Sequence, residues 1–529
     1  MNRAPLVALF GLLMLPWVSP AQAMPPGIDG LRTRKALDAI GRLDLERATA
    51  EITPVQKAYP NDIDVLSAQA LLEFHRGDYA AATTHMNQAL ALGPDISADD
   101  DRRSYARIFA ATAEATKDLR ETRSEDGRFV VRFGGDDEIL VPYALDALRK
   151  ADTALTEALG YRHPGPIRLE IYPSTRTLAE VSSLTVEEIE RTGTIALCKW
   201  DRLMVTSPRA LLHGYPWVDT LDHEFVHLVL ARSSSNRAPV WLQEGVAKFL
   251  ERRWRGPEAL KLDPSSEQLL AKAQEEGGLI PFDKLHPSIA MLPSQEDAAL
   301  AFAQVATFIE HFVKRFGEGG LRNAIEKVAA GQDARDAMAN AAGETWNDLE
   351  GSWKRAIASR KAATDGKAGP RHLDLQFQDE GLGDDASAIP RKDARRFVRL
   401  GDLLWTHGHP KGASREYERA HRLLPEEPII ASRLGRAALE GGDPALASRV
   451  LAPLRDLYPN YAPVRGLLGR ALSELGKPAE ARVELMESLW LNPFDPAPHC
   501  TLARLLKDPE LHRRESIACQ ALGAYNAGR

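Results

Sequence analysis

The apolar positions of this chain change period several times. Between Val141 and Leu159 they recur every three or four residues, the spacing of a helix. On either side, Arg128 to Phe133 and Ile167 to Tyr172 alternate and predict strands. Thr194 to Cys198 and Leu203 to Thr206, split by Lys199-Trp200-Asp201-Arg202, predict a hairpin closed by Pro208. From Trp217 the helical period returns, with Leu221, Phe225 and Leu228 completing one stripe, so an amphipathic helix is expected there. A polar break, Ser233 to Asn236, separates it from a second helical run that opens at Pro239 and carries Val240, Val246, Phe249 and Leu250. Further helices are predicted over Glu267–Gln274, Asp297–Phe316, Leu321–Val328 and Thr345–Ile357. The middle of the chain thus reads as a small mixed sheet followed by helices, an α+β unit.

Both flanks carry a longer period. Asp44, Ala48 and Pro60 return as Asp78, Ala82 and Pro94, each 34 residues on. Near the other end the same interval separates Gly401, Gly435 and Gly469, then Ala413, Ala447 and Ala481, then Pro425, Pro459 and Pro493. This is the period of helix pairs that resemble tetratricopeptide repeats, with a small residue wherever two helices approach. Two copies are too few to stand alone, so the N-terminal pair is expected to pack on its neighbour. A fourth, truncated C-terminal copy is expected from Asp495, with Ala503 in the glycine position and the chain to Arg529 as its cap. Such arrays bind protein segments on a concave face or serve as rigid spacers, and both readings stand.

Residues 1–23 read as an export signal: Arg3, a mostly apolar run from Leu6 to Val18, and Ala21-Gln22-Ala23 as a cleavage site. A periplasmic or extracellular location is therefore expected, with no lipoprotein cysteine after the cleavage site and no later membrane span. The expected divisions are the signal peptide at 1–23, N-terminal repeats at 24–126, a central domain at 127–360, a linker at 361–392 and C-terminal repeats at 393–529. With 67 basic against 74 acidic residues and a net charge of −7, the chain offers no basic field for nucleic acid. The three cysteines, Cys198, Cys500 and Cys519, are too scattered for a disulfide framework or a metal site. One bridge, Cys500 to Cys519, fits an oxidising compartment, although buried thiols are the leading expectation.

The chemistry lies in the helix that starts at Trp217. His223, Glu224 and His227 form H-E-x-x-H. On a helix the two histidines leave one face about 40° apart and can share one metal ion, a zinc spacing. Glu224 projects beside that face, placed to accept a proton from water as general base. Glu244 opens the second helix seventeen residues after His227, in the near-apolar setting Trp241-Leu242-Gln243-Glu244-Gly245. A lone carboxylate there is costly, so it is the expected third ligand. The alternative is a surface pair with Lys248. Glu251 is the reserve ligand, or with Asp222 a group that orients an imidazole.

H-E-F-V-H followed by W-L-Q-E-G-V-A-K-F-L-E resembles the gluzincin metallopeptidases, in particular the bacterial peptidase MA-like group. That resemblance covers Thr192 to Trp254 and, more loosely, the chain to about Arg360. It implies a zincin-like fold, one zinc ion per chain on His223, His227 and Glu244, and Glu224 as the base. It also implies an edge strand that pairs with extended substrate, a task it gives to Leu203–Thr206. Many relatives carry a downstream Tyr or His that stabilises the oxyanion, and this chain has Phe302 where a Tyr is sought. The expected function is an exported zinc peptidase between repeat arrays, acting on a peptide or protein substrate. Its rival is a repeat scaffold for a protein partner, carrying a structural or inactive zinc site.

Overall fold

The structure is a computed structural model that describes residues 31–93, 96–256, 260–285, 289, 292–360, 370–378 and 385–527. The expected signal peptide lies outside the described residues. Five helices come first: α1 (Arg34–Gly41), α2 (Leu45–Ala58), α3 (Ile63–Arg76), α4 (Tyr79–Ala91) and α5 (Ile96–Thr116). The recurring aspartates explain part of the 34-residue period. Asp44 accepts the Arg47 N–H and Asp78 the Ala81 N–H, so each caps the second helix of its pair.

The sheet begins earlier than the sequence pattern suggests. Strand β1 (Arg120–Arg123) pairs antiparallel with β2 (Phe129–Phe133), although Arg-Glu-Thr-Arg has no apolar alternation. A mostly exposed edge strand needs none. Next come α6 (Val141–Leu159), β3 (Ile167–Tyr172), α7 (Thr175–Glu180), α8 (Val186–Thr192), β4 (Ala196–Lys199) and β5 (Arg202–Thr206). The strand order is β1-β2-β3-β5-β4, with β2, β3 and β5 parallel and the two outer strands antiparallel. This corrects one expectation. Leu203–Thr206 is internal, because β5 pairs with β3, and the hairpin turns back outward so that β4 is the edge. Trp200 and Asp201, at φ 55° and 60°, make the tight turn between them.

The sheet is covered on both faces. Phe129, Val131, Leu169, Ile171, Leu203 and Val205 face α6 and the motif helix in one core. Tyr172 and Met204 face Phe74 and Tyr79 of the N-terminal helices in a second. Between those layers Arg202 and Glu170 form a wholly buried ion pair at 2.8 Å. Tyr172 and Tyr79 donate to the same carboxylate, and the Arg202 guanidinium stacks on Phe74, Tyr79 and Trp200. Burial opposes charge on Glu170, but Arg202, the two tyrosines and Arg168 together outweigh it and hold the pKa below the ordinary value. The two N-terminal repeats thus find in the sheet the neighbour they require.

After the sheet come α9 (Trp217–Ser233), α10 (Val240–Leu250), α11 (Pro264–Glu276), α12 (Gln295–Ala329), α13 (Ala334–Ala342) and α14 (Trp346–Ala358). Helix α9 is buried on every side, not along one stripe, because the sheet, α6, α10 and the C-terminal array enclose it. Helix α12 joins two predicted helices across a kink at Gly317. The C-terminal array consists of α15 (Lys392–Thr406), α16 (Pro410–Leu423), α17 (Pro428–Glu440), α18 (Pro444–Leu457), α19 (Ala462–Glu474), α20 (Pro478–Leu491), α21 (Pro496–Leu505) and α22 (Pro509–Ala527). A side chain at Gly401, Gly435 or Gly469 would collide with Tyr417, Leu451 or Leu485 of the paired helix, which accounts for the glycine period. The fourth copy is a full helix pair rather than a truncated one, and Cys500 and Cys519 form a disulfide across it rather than resting as thiols.

The array docks on the central domain. Tyr215 N–H donates to the Leu491 carbonyl at 3.0 Å, Arg255 pairs with Glu487 at 2.8 Å, and Tyr143 donates to Glu515 at 2.8 Å. The predicted linker is not idle where it is described. Its Phe377 bridges Leu211, and its Asp385 accepts from His213 and from Arg433 of α17.

Candidate metal centre

Helix α9 presents His223 and His227 toward α10, and α10 is held in place by aromatic packing. Trp241 meets Phe282, Phe308 and Trp346 with ring centroids 5.3 to 5.9 Å apart. Gly245, directly after Glu244, lets α12 pass close: a Cβ there would lie 2.8 Å from Ile309 and 2.9 Å from the Val305 carbonyl. That close approach sets α10, and with it Glu244, against α9.

The three expected ligands converge. His223 Nε2 and His227 Nε2 lie 3.1 Å apart, and Glu244 Oε2 lies 3.2 Å from the first and 3.3 Å from the second. Three corners of a tetrahedron with bonds of about 2.0–2.1 Å are about 3.3 Å apart, so the set fits one zinc ion. Among the described residues this is the one cluster of its kind. Glu244 does not pair with Lys248, which instead meets Glu251 at 2.7 Å.

Glu251 has a different task from the reserve ligand considered above. Its Oε2 lies 3.2 Å from His223 Nδ1. With the proton on Nδ1 donated to Glu251, the lone pair of Nε2 points into the cluster. Asp222 has no such role. It is buried with Oδ1 unpartnered, and burial pushes its pKa well above the carboxylate range.

The cluster demands positive charge. Burial disfavours a charged His223, yet hydrogen bonds to Glu244 and Glu251 hold its pKa up to about 10. Burial likewise opposes ionisation of Glu244, but His227 and His223 hold its carboxyl far below the ordinary range. A divalent cation meets the same demand.

Glu224 sits apart from the triangle, 7 % exposed. Burial raises its pKa, and the two histidines partly offset this. Helix α9, which carries it, packs against the edge strand β4. No sequence pattern marked this contact, because it depends on which strand is the edge. Phe302 of α12 stands edge-on to His223 with ring centroids 5.9 Å apart, so the place where an oxyanion donor was sought carries no hydroxyl.

The sheet, its covering helices and the cluster together define a central domain of mixed α/β structure that carries a His/His/Glu site. Residues 146–359 match the Peptidase MA superfamily, a span that includes all four site residues. Residues 398–462 and 432–496 match the tetratricopeptide repeat. The chain therefore contains a Peptidase MA superfamily domain followed by tetratricopeptide repeats. No curated protein matches it. Solved structures that resemble it include "MamA MSR-1 C2", at 21% identity and TM-score 0.21 over 27% of this chain and 83% of that one. The structure titled "Crystal structure of APC/C hetero-tetramer Cut9-Hcn1" aligns over 92% of both chains at 13% identity and TM-score 0.23. Scores this low carry no argument.

Proposed function

We propose that this chain is an exported, zinc-dependent peptidase of gluzincin type, with His223, His227 and Glu244 holding the ion and Glu224 as general base. The observation that carries the reading is the triangle of two imidazole nitrogens and one carboxylate oxygen, with a buried, non-ligating glutamate beside it. When bound, zinc supplies Lewis acidity toward water and the scissile carbonyl. Glu224, made more basic by burial, takes the proton of the attacking water and delivers it to the leaving amine. Strand β4 supplies a backbone rail. In its register with β5, Leu197 and Lys199 bond inward, which turns the amides of Ala196 and Cys198 outward toward an extended peptide.

One observation supports export. The Cys500–Cys519 disulfide is of a kind retained in oxidising compartments. Among the described residues no helix is long and apolar enough to cross a membrane. The scaffold reading draws support from the repeats and from the missing oxyanion hydroxyl, but gives Glu224 nothing to do. Elemental analysis tests the proposal: about one zinc per chain is expected in the native protein, with most of it lost in Glu244→Ala. Stoichiometric zinc in the His223→Ala/His227→Ala double variant would contradict it.

A further inference from the structure

The edge strand β4 and helix α12 form the two sides of the site. Strand β4 packs against α9, the helix that carries Glu224, and Phe302 of α12 meets His223. Followed away from the cluster, toward the start of each element, the two sides come together. Gln295, the first residue of α12, donates through Nε2 to the Glu190 carbonyl of α8 at 3.0 Å. Its Oε1 accepts the N–H of Leu375 at 3.0 Å. Gly193, which ends α8 three residues before β4, has φ 71°, and a Cβ there would lie 3.0 Å from Gln295 and 3.4 Å from Leu375. The junction is therefore filled by the amide of one glutamine and the side chain of one leucine.

Leu375 belongs to a segment fixed at both ends. Arg371 bonds Glu427 through two nitrogens at 3.2 Å. Further on, Gln376 accepts the Leu212 N–H at 2.9 Å and Gln378 donates to the Ala210 carbonyl at 2.8 Å. These residues form a wall, anchored to the C-terminal array on one side and to the loop after β5 on the other.

Seven residues of helix separate Gln295 from Phe302, about 10 Å at 1.5 Å per residue. An extended peptide covers that distance in about three residues. A peptide that adds to β4 antiparallel, the more stable pairing, directs its C-terminal side toward Ala196 and the wall.

We propose that residues 371–378, locked by Gln295, close the C-terminal side of the substrate cleft, so that the enzyme trims peptides from their C-termini. Bonds within about three residues of a free C-terminus are cut, and bonds deep inside a chain are not. Gln295 and Leu375 are then the specificity-determining residues, and the substrate class is peptides or proteins with an unfolded C-terminal tail. The inference rests on the peptidase reading above.

The test is a peptide series with one common core, lengthened stepwise at either end, with cleaved bonds mapped by mass spectrometry. Lengthening the N-terminal side should leave the cleaved bond in place and kcat/KM within about twofold. Lengthening the C-terminal side should move cleavage along with the new terminus. In Gln295→Ala/Leu375→Gly, internal bonds should become substrates. Wild-type cleavage of a bond with about six residues on both sides would overturn this inference and leave the peptidase reading intact. Zinc-loaded protein that cuts no peptide of any length would overturn both.

Discussion

Trp217 and Leu489 join the motif helix to the C-terminal repeats: the buried indole Nε1 donates to the Leu489 carbonyl at 3.1 Å. Trp217 is the first residue of α9, and His223 follows on the same rigid helix. The position of a metal ligand is thus set in part by a repeat helix more than 250 residues away in sequence.

Trp217→Phe keeps most of the ring but orphans a buried carbonyl, which costs about 1–3 kcal/mol and lowers the urea midpoint accordingly. Removal of residues 393–529 uncovers Trp217, Tyr215 and Trp254 together, and the truncated chain should lose zinc affinity as well as stability. Isothermal titration with zinc checks this. Unchanged affinity in the truncated protein would show that the array is dispensable to the site.

Glu251→Gln leaves all three ligands in place but weakens the group that orients His223. Zinc affinity should fall by about 10- to 100-fold, as is typical when such a partner is removed. Competition against a chelator measures the change. Asp222→Asn, by contrast, should leave affinity within about twofold, because Asp222 partners neither imidazole: His223 Nδ1 meets Glu251, and His227 Nδ1 has no hydrogen-bond partner.

Arg202→Met strips the nearer counter-charge from Glu170 between the N-terminal helices and the sheet, leaving Arg132 at 3.4 Å. The cost should be about 3–5 kcal/mol near neutral pH. It should shrink in acid, where a protonated Glu170 needs no partner. The double variant Arg202→Met/Glu170→Gln should recover much of the loss in denaturant titrations. A variant whose deficit did not change with pH would place the cost in lost packing instead.

Asp385 gives a stability prediction with a defined pH window. Burial works against its charge, but His213 and Arg433 hold its pKa at about 2, below the ordinary 3.8. A depressed carboxylate contributes stability above its unfolded pKa and loses it as pH falls through the folded one. The native protein should therefore lose about 2 kcal/mol from this group between about pH 4 and pH 2. Asp385→Asn should be less stable at pH 7 and show a flatter acid limb in thermal melts.

Much of this arrangement is legible in the chain. His223, Glu224, His227 and Glu244 are local in sequence, so helical geometry alone brings the histidines together. The span of α6 follows from its apolar period, and the repeats follow from glycines that admit Tyr417, Leu451 and Leu485. What escapes is whatever depends on distant pairing. Strand order is not written in the short runs of β4 and β5, so the resemblance puts the edge on the inner strand of the hairpin. Strand β1 is polar because an edge tolerates it. The Cys500–Cys519 bond needs α21 and α22 side by side, and the all-round burial of α9 needs a C-terminal helix that no local pattern announces.

The central claim concerns Glu224, and one substitution tests it most directly. Glu224→Gln keeps the side chain's size and leaves His223, His227 and Glu244 untouched. The decisive measurement is kcat/KM of the zinc-loaded native protein and of this variant on the same peptide. The account predicts unchanged zinc content, a near-native melting temperature and a loss of activity of about 10²- to 10⁴-fold. Equal cleavage by the two proteins would show that Glu224 is not the base and that the site does not work as described.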